Sequence, residues 1–299
     1  HLTDYYERVL ALPANERQEL VRDAGASAPA DLRPPGRVEG TIGPYLEFLR
    51  LIGRRTAEMH VALASDAEDP AFAPEPFSAL YQRSLYQSMR STTRRVFQAL
   101  RRALRTLPPD ARDEAARLVE REPEVLERLA AIRSRRITGT RIRIHGDYRL
   151  GQLLYLGKEV VIIDFEGDPT RPVSERLVKR SALRDVVGIL QSLHVAALTV
   201  LREHAATGVV RPEDVAALGR WARLWSLWSG AAFQEAYLRA AGSGSFLPQA
   251  PEELALLLDV YSLEQAIIHL GRELSYHPDA AAIPLAGVID LLGTPRARA

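Results

Sequence analysis

The sequence predicts an α+β protein that is mostly α-helical, with one small β-hairpin inserted between two helical parts. Two observations lead to this prediction. Apolar residues recur with the 3.6-residue period of amphipathic helices over most of the chain. Residues 140–165 instead alternate or form short β-rich runs, which a Gly157-Lys158 turn signal interrupts. The side chains that could take part in chemistry cluster on this insert.

The first helical part is punctuated by proline and glycine. Helices end at or before proline because its ring removes a backbone donor and clashes with the preceding turn. A break is expected at Pro13, a loop over 25–40 and a stop at Pro108-Pro109. The predicted helices are 2–24, 43–64, 77–107 and 110–135.

The second part becomes β-rich and then helical again. Strands are expected at 140–145, 153–156 and 159–165. Helices are expected at 181–205, 212–241, 251–276 and 283–292. We therefore divide the chain into a helical part (1–136), a loop with a β-hairpin (137–172) and a second helical part (173–299), which together form one compact domain.

Composition excludes several classes of function. The 299 residues carry a formal net charge of only +1, so no global field favours nucleic acid or an anionic membrane as a partner. The absence of cysteine excludes disulfides, thiolate metal sites and cysteine nucleophiles. No signal segment and no apolar run of the ~18 residues that would cross a bilayer is evident, so a cytoplasmic location is expected.

The segment His145-Gly146-Asp147-Tyr148-Arg149-Leu150-Gly151-Gln152 has the layout of a phosphoryl-transfer centre. Asp147 follows a glycine turn, where its carboxylate can orient an attacking hydroxyl. Gln152 and Asp164 offer oxygens that suit Mg²⁺, and Glu166 is a further candidate ligand. Taken singly, Asp147 or Asp164 could be ordinary turn residues. Their combination in one short window indicates function.

Neighbouring residues have two interpretations each. His145 could act as a base, although an imidazole before the glycine fits bracing of the loop backbone better. Arg184 and Asp185 open a helix, and both are candidates to support the catalytic loop. Asp185 either hydrogen-bonds that loop or complements the helix dipole.

The residues of the acceptor pocket are harder to assign. Three tryptophans on one helix face are expected to be core residues, although one could line a saccharide cleft. Candidate substrate-binding residues are Arg149, Glu264, His269 and Arg272.

These motifs resemble the aminoglycoside-phosphotransferase-like kinases, and among them the bacterial maltokinases. The matching segments include Arg143-Ile144-His145-Gly146-Asp147-Tyr148, Leu150-Gly151-Gln152, Asp164-Phe165-Glu166-Gly167 and Leu183-Arg184-Asp185-Val186. Segments 51–60, 69–77 and 283–287 extend the similarity over nearly the whole chain.

The resemblance implies a protein-kinase-like C-lobe that phosphorylates maltose to maltose 1-phosphate with ATP and Mg²⁺. It implies that Asp147 is the catalytic base and that Gln152 and Asp164 hold the metal. Maltokinases also occur fused to trehalose synthase, so a fused or associated synthase domain is an expected partner.

The chain departs from this family in two respects. No glycine-rich loop followed by a strand lysine precedes Gly43, so the nucleotide-binding N-lobe is expected to be absent. Gln265, Ile268 and His269 stand where the family usually has Lys, Tyr and Glu in its sugar pocket. The alternative is a kinase-like module with a structural or regulatory role and no activity of its own. A metal-dependent phosphohydrolase is a third interpretation, although it would be expected to have more clustered metal ligands.

Overall fold

The computed structural model describes residues 1–26, 36–169 and 171–293. Short strands interrupt a mainly helical chain. They are β1 (Glu75–Pro76), β2 (Thr140–Arg141), β3 (Leu153–Tyr155) and β4 (Val160–Ile162). The helices are α1 (Leu2–Ala11), α2 (Ala14–Ala26), α3 (Gly36–Ile42), α4 (Tyr45–Leu63), α5 (Ala79–Ala103), α6 (Pro109–Glu120), α7 (Glu122–Ala130), α8 (Val173–Arg176), α9 (Leu183–Ala206), α10 (Pro212–Ala241), α11 (Pro251–Tyr276) and α12 (Ala282–Gly293).

Most predicted helices are confirmed, including the break at Pro13 between α1 and α2. The loop predicted at 25–40 is wrong at both ends, because α2 continues to Ala26 and α3 begins at Gly36; its middle, 27–35, lies outside the described residues. The single helix predicted at 110–135 is also wrong. It is split at Arg121 (φ −90°, ψ 6°), since Pro123 lies in the first turn of α7 and has no N–H for a continuous helix.

The predicted hairpin is confirmed, but the strand predicted at 159–165 is wrong beyond Ile162, because Asp164 has a positive φ. β3 and β4 pair antiparallel, with Leu154 opposite Val161, and Gly157 turns the chain with φ 82°. The strand predicted at 140–145 is wrong beyond Arg141: Thr140 and Arg141 pair with β1, and Ile142 forms only an isolated bridge to Arg180. The ladder is short because its partner β1 ends in Pro76, which has no N–H to donate.

The chain forms two compact units. The first comprises His1–Ala62, Asp147–Gly167 and Ser192–Gly242, and the second comprises Leu63–Gly146, Asp168–Gln191 and Ser243–Ala299. The predicted division at 136 and 172 remains a proposal.

The first unit has an aromatic core. The Tyr5 hydroxyl donates to the Trp221 carbonyl at 2.9 Å, and Tyr45 stacks on Trp225 with ring centroids 5.3 Å apart. α4 lies very close to α10 at Gly53, where a Cβ would be 2.4 Å from the Phe233 carbonyl oxygen. The tryptophans at 221, 225 and 228 are at most 2% exposed. They are core residues, and none presents a free face for a sugar.

In the second unit, α11 packs on α5 and α12. The contact with α5 is close, since a Cβ at Gly271 would be 2.6 Å from Val96 Cγ2. Arg128 pairs with Asp259 and also donates to the Leu291 carbonyl at 2.6 Å, which fastens α12 to the core.

Two of the described helices are more apolar than the sequence patterns predict. α9 and α11 each contain an 18-residue window with a mean hydropathy of 1.3, so both are long and apolar enough to cross a membrane by length and composition alone. Of these windows 39% and 44% are buried within the protein. Core helices of soluble proteins have the same composition, so the evidence for a membrane segment is weak.

Candidate active site

The loop that carries Asp147 is anchored by a buried side chain. Tyr148 is 3% exposed, and its hydroxyl lies 2.8 Å from Thr56 Oγ1 on α4. Thr56 in turn donates to the Ile52 carbonyl at 2.8 Å. Asp147 is therefore next to a fixed point, while its own carboxylate remains 21% exposed.

A short 3-10 turn, Leu150–Gln152, follows and presents the Gln152 side chain. The backbone N–H of Leu150 donates to Ser192 Oγ at 3.0 Å, and the N–H of Gln152 donates to the Arg149 carbonyl at 2.9 Å. Gln152 is only 6% exposed, which is low for an amide side chain in a loop.

Asp164 has an unusual backbone conformation. It follows β4 with φ 63°, and within the described residues it is the only non-glycine residue with a positive φ. A left-handed conformation costs an L-residue roughly 1–2 kcal/mol, and such residues persist mainly where surrounding contacts require them, often at functional sites. The N–H of Ile163 donates to the Gln152 carbonyl at 3.1 Å, which extends the hairpin to the residue before Asp164.

The side chains of four predicted residues form a continuous polar series. In the orientation that satisfies both neighbours, the Gln152 amide donates to Asp164 Oδ2 at 2.6 Å and accepts from Arg149 Nη2 at 3.2 Å. Arg149 Nε lies 3.4 Å from Asp147 Oδ2. The predicted base, the two predicted metal ligands and Arg149 are thus brought together within the first unit.

Gln152 and Asp164 fit a hard cation. Adjacent ligands of an octahedral Mg²⁺ at about 2.1 Å lie about 3 Å apart. The Gln152 amide nitrogen lies 2.6 Å from Asp164 Oδ2, so the two side chains are near enough to share a cation once the amide turns its oxygen toward Asp164. Within residues 1–26, 36–169 and 171–293, no three His, Cys, Asp or Glu side chains form a group able to hold a metal ion. A cation here would take its other ligands from phosphate and water, as Mg²⁺ commonly does.

Glu166 does not join this group. It is exposed, and within the described residues it belongs to no group of three side chains able to hold a metal ion. Its assignment as a metal ligand stays a prediction.

In the second unit, Asp185 holds the backbone that leads into the catalytic loop. Its two carboxylate oxygens accept from the N–H groups of His145 and Gly146, at 2.8 Å and 3.0 Å. Asp185 and His145 are 2% and 1% exposed. Gly146 has φ 84°, a conformation that favours glycine. The turn before Asp147 therefore requires glycine at position 146 in addition to the two hydrogen bonds to Asp185.

Arg184 and Glu264 form a buried ion pair, with Nη2 and Oε2 2.7 Å apart. The guanidinium also lies over the Tyr261 ring, 4.7 Å from its centroid. Burial by itself lowers the pKa of Arg184, but the charge of Glu264 raises it and the net shift is upward. The Glu264 carboxylate already has a partner, so a sugar would have to share it with Arg184.

His269 and Arg272 lie on α11. His269 Nε2 is 3.4 Å from Glu273 Oε1, and its Nδ1 is 3.3 Å from the Gln191 amide nitrogen. Burial lowers the pKa of His269, with Arg272 adding to the effect and Glu273 opposing it. Arg272 is exposed.

No protein-family model matches the chain. The similar proteins described next are both glucosamine kinases. A glucosamine kinase from Streptacidiphilus jiangxiensis is 29% identical over 209 residues, 69% of this chain and 41% of that protein. One from Mycolicibacterium smegmatis (strain ATCC 700084 / mc(2)155) is 34% identical over 144 residues, 46% of this chain and 32% of that protein.

Solved structures extend the likeness to the fold. A glucosamine kinase in complex with glucosamine, ADP and inorganic phosphate superposes with a TM-score of 0.64 at 22% identity, over 92% of this chain and 56% of that one. This chain shares the fold of the part of that structure with which it superposes. It spans less than half the length of the curated relatives it matches. These homologues support a sugar-kinase family, but they do not support maltokinase in particular.

Sequence reasoning missed the residues that support the site. Thr56 and Ser192 contact the catalytic loop from α4 and α9, and neither was predicted to have a role. The one available signal was Tyr148, an aromatic residue in an otherwise polar loop.

Proposed function

We propose that this chain carries the phosphoryl-transfer centre of an ATP- and Mg²⁺-dependent sugar kinase with a protein-kinase-like C-lobe. One observation carries the proposal: Gln152 and Asp164 meet at 2.6 Å on the hairpin that follows Asp147. Turn acids with only structural roles would not need a buried amide directed at a strained, exposed carboxylate. The relationship to glucosamine kinases supports the same chemistry.

In this proposal Asp147 receives the proton of the acceptor hydroxyl. The hydroxyl oxygen forms a bond to the γ-phosphorus while the bond from phosphorus to the β–γ bridging oxygen breaks, so that ADP leaves with the electron pair. Asp147 suits this role because it is partly exposed on a loop whose two flanking residues are held, Gly146 by Asp185 and Tyr148 by Thr56. Little covalent chemistry is required of the protein, so positioning is the main contribution.

Gln152 and Asp164 would hold Mg²⁺. When bound, the ion neutralises charge on the β- and γ-phosphates. The protein contributes the spacing of the two side chains. A hydrogen bond from the Ile163 N–H to the backbone carbonyl of Gln152 maintains this spacing. Asp185 acts indirectly, by fixing the backbone before the base.

For the acceptor we propose glucosamine ahead of maltose. The related kinases are named for glucosamine. An amino sugar carries an ammonium group that carboxylates can pair with. The predicted acceptor-binding residues Glu264, His269 and Arg272 stay predictions, and Glu264 already has Arg184 as its partner. The departures at Gln265, Ile268 and His269 also separate this chain from the maltokinase pattern. Maltose, the cytoplasmic location and a trehalose synthase partner remain predictions.

The test is an assay of ADP release and sugar phosphate formation with ATP, Mg²⁺ and a panel that includes glucosamine and maltose. It should be run on this chain and on the longest polypeptide encoded by its reading frame. We expect transfer to glucosamine, and we expect Asp147→Asn to lower kcat by at least about a thousandfold, the range typical for removing a group that acts in the transition state. Asp113→Asn, on the exposed surface of α6, is the matched control.

Two results would decide against the proposal. Transfer by Asp147→Asn at the wild-type rate would remove the base assignment. Absence of transfer to every sugar by both polypeptides would favour the structural or regulatory alternative. Transfer to maltose but not to glucosamine would keep the kinase and reverse the choice of acceptor.

A further inference from the structure

A guanidinium lies between the proposed base and the proposed metal ligands. Arg149 Nε is 3.4 Å from Asp147 Oδ2, and Arg149 Nη2 is 3.2 Å from the Gln152 amide oxygen. Gly151 leaves room for this arrangement, since a Cβ there would be 3.1 Å from Arg149 Nη1. The Arg149 side chain is 54% exposed, so it can leave without opening the core.

The contacts of Gln152 determine which way its amide faces. One end of an amide accepts hydrogen bonds and the other donates them. A carboxylate only accepts and a guanidinium only donates. With Asp164 on one side and Arg149 on the other, both bonds form only when the nitrogen faces Asp164 and the oxygen faces Arg149.

That orientation is the wrong one for a shared cation. To bind a metal together with Asp164, Gln152 must turn its oxygen toward the Asp164 carboxylate. The same rotation places the amide NH₂ against the Arg149 guanidinium, where two donors face each other. Metal binding by Gln152 therefore requires Arg149 to move away.

We propose that Arg149 is a positioning residue that holds the Gln152 amide in a metal-excluding orientation and so competes with the divalent cation. This inference rests on the metal site of the proposed function and adds a control on its occupancy. The displaced guanidinium would be free to pair with phosphate oxygens, which bind Arg well. Nucleotide and cation would then assist each other's binding, because the phosphates draw away the group that opposes the metal.

The test measures binding of Mn²⁺ alone to the intact chain, from the loss of the electron paramagnetic resonance signal of free Mn²⁺. Arg149→Gln should tighten Mn²⁺ binding about fivefold, the order expected when one exposed hydrogen bond to a charged group no longer opposes it. Arg94→Gln, an exposed arginine on α5 in the second unit, should leave Mn²⁺ affinity within about twofold. The thermal midpoint should be unchanged in both variants.

A second pair of variants separates amide orientation from simple charge repulsion. In a Gln152→Leu background there is no amide to orient, so adding Arg149→Gln should change Mn²⁺ affinity much less than it does in the wild type. An equal effect in both backgrounds would show that Arg149 acts by charge alone and would overturn the orientation mechanism. Circular dichroism establishes that both chains with the Gln152→Leu substitution are folded.

The outcomes also distinguish this inference from the proposed function. If the wild type binds Mn²⁺ and Arg149→Gln binds it equally well, the inference fails and the metal site stands. If neither binds Mn²⁺ at millimolar concentration, the metal site and the inference both fail. Binding by Arg149→Gln but not by the wild type would be the strongest support.

Discussion

The hydroxyl of Tyr148 lies 2.8 Å from the hydroxyl of Thr56, although the two residues are 92 positions apart in the chain. Both side chains are buried, and Thr56 also donates to the Ile52 carbonyl on its own helix. Since Thr56 gives its proton to Ile52, the Tyr148 hydroxyl is the donor in the bond between them. The residue after the proposed base is thus tied to α4.

We expect Tyr148→Phe to lower the free energy of unfolding by about 1 kcal/mol, because it removes one buried hydrogen bond and leaves the ring in place. Urea unfolding measures this change. kcat should fall as well, since the loop that bears Asp147 loses its anchor, while the KM for ATP should change little. Tyr276→Phe is the control, because Tyr276 is 71% exposed. A kcat equal to that of the control would show that the anchor does not position the base.

Asp185 provides the second anchor, and its substitution tests a different part of the loop. Asp185→Asn keeps the size but turns one acceptor oxygen into a donor that faces a backbone N–H of His145 or Gly146. The lost bond is charge-assisted and buried, so a loss of about 2–3 kcal/mol in unfolding free energy is expected. Chemical denaturation measures it against Asp113→Asn. An unchanged stability would mean that these two N–H groups find other acceptors.

His269 should make stability depend on pH. Burial holds its pKa below the usual 6.5, so the folded chain takes up this proton at lower pH than the unfolded chain does. Below about pH 6.5 the unfolded state therefore binds more protons, and the free energy of unfolding falls as the pH falls toward the depressed pKa. The neighbouring charges are Glu273, which opposes the shift, and Arg272, which adds to it.

Denaturation curves recorded between neutral and mildly acidic pH measure this effect. His269→Gln should flatten the slope of stability against pH in that interval, because glutamine does not titrate there. His277→Gln, at an exposed position just after α11, should leave the slope as it is in the wild type. Equal slopes in all three proteins would assign the acid sensitivity to other groups.

Sequence patterns predicted the parts of this fold that depend on local periodicity. The helices α10, α11 and α12 and the β3–β4 hairpin follow from apolar spacing and from the Gly157 turn. The grouping of Gln152 with Asp164 was expected from motif spacing, and the structure brings them together. Periodicity identifies which face of an element is apolar, but it does not identify the partner of that face.

Contacts between distant segments were therefore not predictable. The pairing of Tyr148 with Thr56 depends on how α4 packs, and nothing near either residue encodes it. The ion pair of Arg184 with Glu264 was likewise not predictable. The sequence analysis treated Glu264 as a sugar-binding residue, but its carboxylate pairs with Arg184. Backbone strain at Asp164 was also hidden, because an aspartate after a strand is compatible with several turn conformations.

That strain leads to a prediction that separates the backbone preference at position 164 from the loss of its carboxylate. Asp164 has φ 63°, a conformation that glycine adopts without steric penalty because it has no Cβ, and that L-residues adopt at a cost of roughly 1–2 kcal/mol. Asp164→Gly should therefore be more stable than Asp164→Ala by about 1 kcal/mol, as measured by thermal or urea unfolding, because only the backbone preference differs between them. Both variants lose the carboxylate, so both should lose Mn²⁺ binding and phosphoryl transfer. Equal stability of the two variants would show that position 164 relaxes out of the left-handed region once the carboxylate is gone. In that case the contact with Gln152, rather than the surrounding backbone, is what maintains the strained conformation in the wild type.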